Sequence, residues 1–275
     1  MPYLIQSCKG TLGDYLRLVK EVRGEWINPD ADCIGDEGPP WFRGQGDSSW
    51  GLVPRIYRRE FSNADEKELR HEFQSAGIQL VGSAVLRTKW DWYFLMQHYG
   101  APTRLLDWTI NPLVALFFSL EDHIEEKRTS DAAVWAIDPW WLNKRQFSGC
   151  DGPLLPDWGE ANGLLPDLDR AFAGAKVWHQ LPVAIEPPHL DERLSAQGSR
   201  FVVFGKTKDL TRSALARGTR SYRRRGAIRL SKIVIPAGKT KRLLRELDQL
   251  NINRAVLFPD LGGLAAHMCY RWSRP

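Results

Sequence analysis

Residues 97–118 read QHYGAPTRLLDWTINPLVALFF and carry the clearest structural signal in the chain. Residues 103–109 follow a proline and are predicted to be extended. Asn111 then stands as a helix N-cap before Pro112, and proline is favoured at the first helical position. Residues 113–118 are apolar all round, which is typical of a buried helix. The stretch therefore predicts a strand that leads directly into a core helix.

Outside this stretch, helical and strand patterns follow one another without an internal repeat. Apolar spacing and capping residues predict further helices at 11–19, 63–78, 89–99 and 240–250, and a closing helix after Asp260. Apolar and β-branched runs predict strands at 41–45, 132–137, 201–204, 228–235 and 255–258. Residues 138–175, with several Pro, Gly and Trp, are predicted to form a long loop or lid. Residues 1–275 are thus predicted to be one mixed α+β domain, which begins with a helix and loop at 1–40.

The composition is that of an ordinary globular protein. Of 275 residues, 43% are hydrophobic and 26% charged, which excludes disordered and collagen-like classes. Mean hydropathy is -0.38, and no apolar run approaches the ~20 residues that span a bilayer, so we expect no membrane partner. The first residues lack a secretion signal, and the four cysteines lie far apart without CxxC pairs. We therefore expect a cytoplasmic protein with reduced thiols, and no metal site.

One segment accounts for the basic character of the chain. Residues 206–232 contain ten Lys or Arg and one acid, Asp209, and so carry +9 against +5 for the whole chain. Within it, Arg220, Arg223, Arg224 and Arg225 surround Tyr222. Arginines beside an aromatic ring suit phosphates and base stacking, so the segment is predicted to contact nucleic acid. A solvated loop, or an anchor for an antitoxin-like or regulatory protein, remains the alternative.

Four blocks of the sequence resemble the FRG-domain family, which is named for its (F/Y)RG motif. The first is Phe42-Arg43-Gly44-Gln45, and the second is the stretch at 97–118. The third reads AQGSRF at 196–201, and the fourth reads LFPDLGGLA at 257–265. The four blocks stand in the expected order, so the chain is identified as a member of that family.

A second resemblance connects these blocks with ADP-ribosyltransferases, which use NAD as a substrate. It implies a central split β-sheet flanked by helices. It also implies that Arg43, Gly44 and Gln45 hold NAD, with the arginine on the pyrophosphate, and that Thr109 lines the nicotinamide pocket. Arginine suits this task because its planar fork donates paired hydrogen bonds to phosphate.

The third catalytic element of those enzymes is a glutamate, and this sequence offers Gln197 or Asp260 instead. Either side chain is predicted to orient the ribose as an oxocarbenium-like centre develops. Arg104 and Asp107 are predicted to shape the same site. The resemblance therefore implies an effector that uses NAD to modify a nucleic acid, first of all RNA, as a toxin or phage-defence protein.

Two other functions and several structural explanations stay open. A metal-independent nuclease would use Arg43, His98 and Asp107, and a non-enzymatic module would only bind nucleic acid or a partner. Each predicted site residue also has a structural explanation. These are an ion pair for Arg43 with Asp47 or Asp107, an ion pair for Arg104 with Asp107, a cap or turn hydroxyl for Thr109, a helix end for Gln197 and a helix cap for Asp260.

Overall fold

A computed structural model provides the three-dimensional description of the chain. It describes residues 3–26, 38–61, 64–81, 88–125, 128–147, 150, 152–172, 179–187, 192–212 and 229–273. Within these residues lie eleven α-helices and seven β-strands.

Seven strands form one mixed sheet in the order β1-β7-β4-β2-β3-β6-β5. The strands are β1 (Leu4–Ser7), β2 (Trp41–Gln45), β3 (Leu105–Thr109), β4 (Ala132–Ile137), β5 (Val183–Ile185), β6 (Ser199–Val203) and β7 (Leu230–Ile235). β1 runs parallel to β7, and all other neighbours are antiparallel. The mixed α/β class is confirmed, and all seven strands belong to one sheet. The split of this central sheet in the manner of ADP-ribosyltransferases stays a prediction.

The ladder pairing between neighbouring strands is shortest in the middle of the sheet, between β2 and β3. β4 pairs with β7 at six positions and β3 pairs with β6 at five, whereas β2 and β3 meet only at Phe42 and Thr109. We call this contact the β2–β3 joint. It leaves much of both strand edges without ladder bonds to each other.

Eleven α-helices of four or more residues surround the sheet within the described ranges. They are α1 (Leu12–Trp26), α2 (Glu66–Gly77), α3 (Lys89–His98), α4 (Pro112–Glu125), α5 (Pro139–Gln146), α6 (Pro156–Ala161), α7 (Leu168–Phe172), α8 (Glu192–Ala196), α9 (Thr240–Gln249), α10 (Arg254–Leu257) and α11 (Leu261–Trp272). None of the described helices is long and apolar enough to cross a membrane.

The core falls into clusters that meet at the β2–β3 joint. Phe42 and residues of β4 and β7 pack under α1, α4 and α9. Leu105 and residues of β5 and β6 pack under α3 and α8 on the same side of the sheet. A third cluster, which includes Trp41, Trp108 and Trp135, covers the opposite face. The predicted strand-to-helix step is confirmed, since Leu113 N donates to Asn111 Oδ1 (2.9 Å) and α4 is largely buried.

Two local predictions are wrong. Residues 138–175 were expected to form a loop, but α5, α6 and α7 lie there, because Asp138 caps α5 and a proline opens both α5 and α6. Leu142, Leu165 and Leu168 are then buried in the core. The run at 255–258 was expected to be a strand, but it lies largely in α10, whose N-cap Asn253 accepts from Val256 N.

Candidate functional site

A cavity of about 370 Å³ opens over the β2–β3 joint. It is lined by residues of the core cluster under α1, α4 and α9 and of the core cluster under α3 and α8. Its walls come from β2, β3, β6, α4, the C-terminal end of α3, α8 and the turn at residues 55–58. The predicted site residues that line it are Arg43, Gly44, Asp107, Thr109 and Gln197. Predicted residues from three distant parts of the sequence therefore share one cavity.

Arg43 lies on β2 at the joint, with 15% of its side chain exposed. Its Nη1 donates to the backbone oxygen of Asp107 (2.7 Å) and lies 3.5 Å from Asp107 Oδ2. Its Nε is buried and has no hydrogen-bond partner among the described residues. Burial lowers the pKa of Arg43, against the pull of the Asp107 carboxylate. The arginine stays cationic, and its Nε is a buried donor that no described group satisfies.

Asp107 presents its carboxylate to the cavity and is 54% exposed. Gln97 Nε2 donates to Asp107 Oδ2 (2.8 Å), and Gln97 Oε1 accepts from the Thr103 hydroxyl. That hydroxyl oxygen in turn accepts from Leu105 N (3.0 Å). Because the Thr103 proton goes to Gln97 Oε1, the Gln97 amide directs its NH₂ at Asp107. This relay orients Asp107 as an acceptor.

Thr109 and Gln197 join the end of β3 to the end of α8. Thr109 Oγ1 donates to the Gln197 backbone oxygen (2.6 Å) and accepts from Asn111 N (3.0 Å). Gln197 Nε2 donates to the Leu257 backbone oxygen (2.9 Å), so its amide is also held. The Thr109 hydroxyl therefore stabilises a turn, which is the structural explanation considered for it above. Gln197 lies in the wall of the cavity.

Gly44 has a structural reason to be glycine. A Cβ at this position would lie 2.1 Å from Ala115 O and 2.5 Å from Ser119 N. The backbone of α4 thus packs directly on β2. This contact fixes the helix that forms one wall of the cavity.

Sequence reasoning missed three further arginines. Arg55, Arg58 and Arg193 line the cavity together with Arg43, and Asp107 is the one acid among the described lining residues. Arg55 donates to the Gly100 backbone oxygen, and Arg193 lies over the Phe258 ring (4.2 Å). None of these three arginines occurs at a sequence spacing that signals a site, because only the folded chain brings them to the joint. Four guanidinium groups against one carboxylate make the cavity strongly cationic.

Three predicted site residues lie elsewhere. Gln45 is buried, donates to Gly51 O (3.0 Å) and accepts from Trp135 Nε1 (2.7 Å). Asp260 caps α11 by accepting from Gly263 N (2.7 Å), which is its structural explanation.

Arg104 is the third, and it belongs to a buried network. It pairs with Glu66, and its Nη1 donates to Tyr57 Oη (2.7 Å). Its backbone N donates to Tyr93 Oη (2.8 Å), and that hydroxyl donates to Glu66. The predicted pairing of Arg104 with Asp107 is therefore replaced by a pairing with Glu66.

The basic segment is described only in part. Arg220, Tyr222, Arg223, Arg224 and Arg225 lie outside the described residues. Two of its other cations have structural roles, since Arg229 pairs with Asp138 and Lys232 lies over the Trp135 ring (5.0 Å). The described ranges contain no group of three or more His, Cys, Asp or Glu placed to hold a metal ion.

Comparison with known proteins identifies one family. The family model of the FRG domain matches residues 39–129, which include β2, α2, α3, β3 and α4. Residues 39–129 therefore match an FRG domain, and this range contains the first two of the four sequence blocks, Phe42-Arg43-Gly44-Gln45 and the stretch at 97–118. The match covers Arg43, Gln97 and Asp107, whereas Arg193 and Gln197 lie beyond it. No curated protein and no solved structure matches the chain.

Proposed function

We propose that this FRG-domain protein is an ADP-ribosyltransferase that cleaves NAD and transfers ADP-ribose to a nucleic acid. The observation that carries the proposal is the cationic cavity at the β2–β3 joint. It brings together Arg43, Asp107 and Gln197, and it adds arginines that no motif had singled out.

The charge of the cavity suits the phosphates of a dinucleotide. Arg43, Arg55, Arg58 and Arg193 supply guanidinium groups of the kind that bind phosphate through paired hydrogen bonds. The ring of Phe118, which is partly exposed, also lines it and offers apolar surface to a flat base. A volume of about 370 Å³ lies within the usual range of ligand pockets, roughly 300–1,000 Å³.

In the proposed reaction, the bond between ribose C1′ and the nicotinamide nitrogen breaks, and nicotinamide leaves neutral with the electron pair. The positive charge that develops at C1′ is stabilised by Asp107, whose carboxylate the Gln97 relay holds as an acceptor. A nucleophile of the acceptor then bonds to C1′ and passes its proton to Asp107. Gln197, held by Leu257, orients the ribose.

The acceptor is proposed to be RNA because of the basic segment. Its local charge of +9 would speed the encounter with a polyanion. A cytoplasmic toxin or phage-defence effector, restrained by an antitoxin-like partner, is the biological role that the sequence resemblance implies.

The test measures nicotinamide released from NAD by the purified protein, with and without total RNA. We expect RNA to stimulate release and Arg43→Ala to abolish it without unfolding the chain. Arg59→Ala is the matched control, since Arg59 is exposed on the same segment as Arg55 and Arg58 and is not a lining residue. Normal release by folded Arg43→Ala would overturn the assignment.

The same tube separates the alternatives. The nuclease alternative is favoured by one observation, since Arg43, His98 and Asp107 all line the cavity. It predicts shortened RNA without any need for NAD. A non-enzymatic module predicts intact RNA and no nicotinamide, and its binding would be lost when Arg223, Arg224 and Arg225 are neutralised.

A further inference from the structure

The helix α11 exposes a continuous apolar face. Leu261 and Trp272 are 84% and 82% exposed, and Leu264 and Met268 are about half exposed. Their spacings of three, four and four residues place all four on one side of an α-helix. Single exposed apolar side chains are ordinary, but four in a row form a patch of the kind that marks an interaction surface.

The opposite side of α11 fixes the helix to the protein. Gly263 is buried, and a Cβ there would lie 2.1 Å from Phe258 O. Tyr270 packs against the core cluster of α4 and α9. The apolar face is therefore presented outward on a firmly seated helix.

The charges beside this face are self-complementary. Arg271 is the one charged residue in the exposed part of α11, and Asp260 is its N-cap. The two are eleven residues apart, which at 100° per residue places them on the same flank of the face. If two copies pair antiparallel about a two-fold axis, this flank of one helix lies against the same flank of the other, with the N-terminal end of each beside the C-terminal end of its partner. Asp260 of each copy then lies beside Arg271 of the other, and the helix dipoles oppose.

We propose that α11 is a self-association surface, through which two copies of this chain pair as antiparallel helices. Leu261 of one copy packs near Trp272 of the other, and Leu264 and Met268 pack around the two-fold axis. An interface of one three-turn helix is small, so the dimer dissociates at roughly micromolar concentration. The inference is independent of the proposed NAD chemistry.

The first test is sedimentation equilibrium over a range of protein concentrations. Wild-type protein should dimerise, and Met268→Glu should raise the dissociation constant at least about tenfold, because it places two like charges at the centre of the interface. Trp158→Glu is the control, since Trp158 is also exposed, at 53%, but lies on α6. A monomer at all concentrations up to several hundred micromolar would overturn the proposal, as would equal effects of the two substitutions.

The second test separates the charge pair from the apolar contact. Asp260→Asn keeps an N-cap side chain and removes the charge, and Arg271→Gln removes its counterpart. Each substitution should raise the dissociation constant of the dimer severalfold. The dissociation constant of the double variant should not exceed that of the single variant that dimerises more weakly. Additive effects would show that the two residues do not meet, and would overturn the antiparallel register.

The third test reads that register directly by disulfide cross-linking with an added oxidant, in a Cys33→Ser, Cys269→Ser background. About the proposed axis, Ala265 lies about 4–5 Å along the helix from its copy, whereas Leu261 lies about 16 Å from its own. Ala265→Cys should therefore cross-link to itself. Leu261→Cys should cross-link only when mixed with Trp272→Cys. Self-cross-linking of Leu261→Cys would instead indicate parallel helices and contradict the proposal.

Discussion

Two arginine–carboxylate pairs lie at β3, one with Arg104 just before the strand and one with Asp107 within it. They differ in how many of their polar groups have hydrogen-bond partners within the protein. Arg104 and Glu66 form a buried pair whose remaining groups contact Tyr57 and Tyr93. Arg43 and Asp107 approach only to 3.5 Å, and the carboxylate is 54% exposed to a cavity. The sequence placed both arginines in one site. The structure shows that the first pair completes its bonds within the protein, and that the second retains donor and acceptor groups toward a cavity.

This difference gives a criterion for function. A buried charge whose bonds are complete holds elements together, and here Arg104 joins the start of β3 to α2. A buried donor without a protein partner among the described residues, such as Arg43 Nε, costs stability unless a ligand or water satisfies it. We therefore expect substitutions in the first pair to lower stability, and those in the second to lower activity.

The largest expected effect is on stability. Arg104→Met should lower the free energy of unfolding by about 3 kcal/mol, because it leaves Glu66 buried without its cation. Arg43→Met should cost about 1 kcal/mol, the usual value of one lost hydrogen bond. Urea denaturation of both variants checks this. Equal losses would remove the distinction between the pairs.

A double-mutant cycle sharpens the same comparison. For Glu66→Leu and Arg104→Met, we expect a coupling energy of about 2 kcal/mol, since the second substitution removes a charge that the first left unpaired. For Arg43→Met and Asp107→Asn, we expect about 0.5 kcal/mol, the range of an exposed and distant pair. Strong coupling in the second cycle would show that Arg43 and Asp107 are a structural ion pair.

The relay to Asp107 predicts a smaller effect, and on activity. Thr103→Val keeps the side-chain shape but removes the hydroxyl that holds Gln97 Oε1, so the Gln97 amide is no longer fixed in the position from which it donates to Asp107. We expect the rate of NAD cleavage at saturation to fall about tenfold, by roughly 1.4 kcal/mol in barrier. Thr103→Ser retains the hydroxyl and should retain the rate. If both variants are equally slow, loss of packing is the cause.

The smallest effect is spectroscopic. Burial raises the pKa of Tyr57 to about 12, although Arg104 opposes this shift. Because the folded-state pKa lies above the ordinary tyrosine value of 10.0, this phenol contributes stability below pH 10 that is lost as pH rises to about 12. Rapid alkaline titration followed by tyrosine absorbance should show a step near pH 12 that Tyr57→Phe lacks. Titration of Tyr57 near pH 10 would mean that the network opens in solution.

Local signals predicted the centre of the fold correctly. β2, β3 and α4 follow from short-range patterns, namely an apolar run, a capping Asn111 and an all-apolar helix. β1 and β5 were missed because β1 is a largely exposed edge strand and β5 has only three residues. The apolar run at 255–258 suited a strand equally well, and the cap at Asn253 decided for a helix.

Cavity residues that belong to a sequence motif were predicted to share a site. Cavity residues that only the tertiary structure brings together were missed. Arg43, Asp107 and Gln197 lie in recognisable blocks and do share a cavity. Arg55, Arg58 and Arg193 have no such context, since single arginines on turns and short helices usually face solvent. Gln97 was quoted within a block, but its role depends on bond directions that only coordinates reveal.

The single pairing of β2 with β3 also leaves two parts of the sheet that are each paired more extensively within themselves than with each other. On one side lie β1, β7, β4 and β2, and on the other β3, β6 and β5, each part held by several ladder positions. Amide hydrogen exchange should therefore proceed in two steps, with protection lost first along the seam between Phe42 and Thr109. An opening of that seam would widen the cavity while both parts stay folded, and a ligand that bridges them would slow exchange in both.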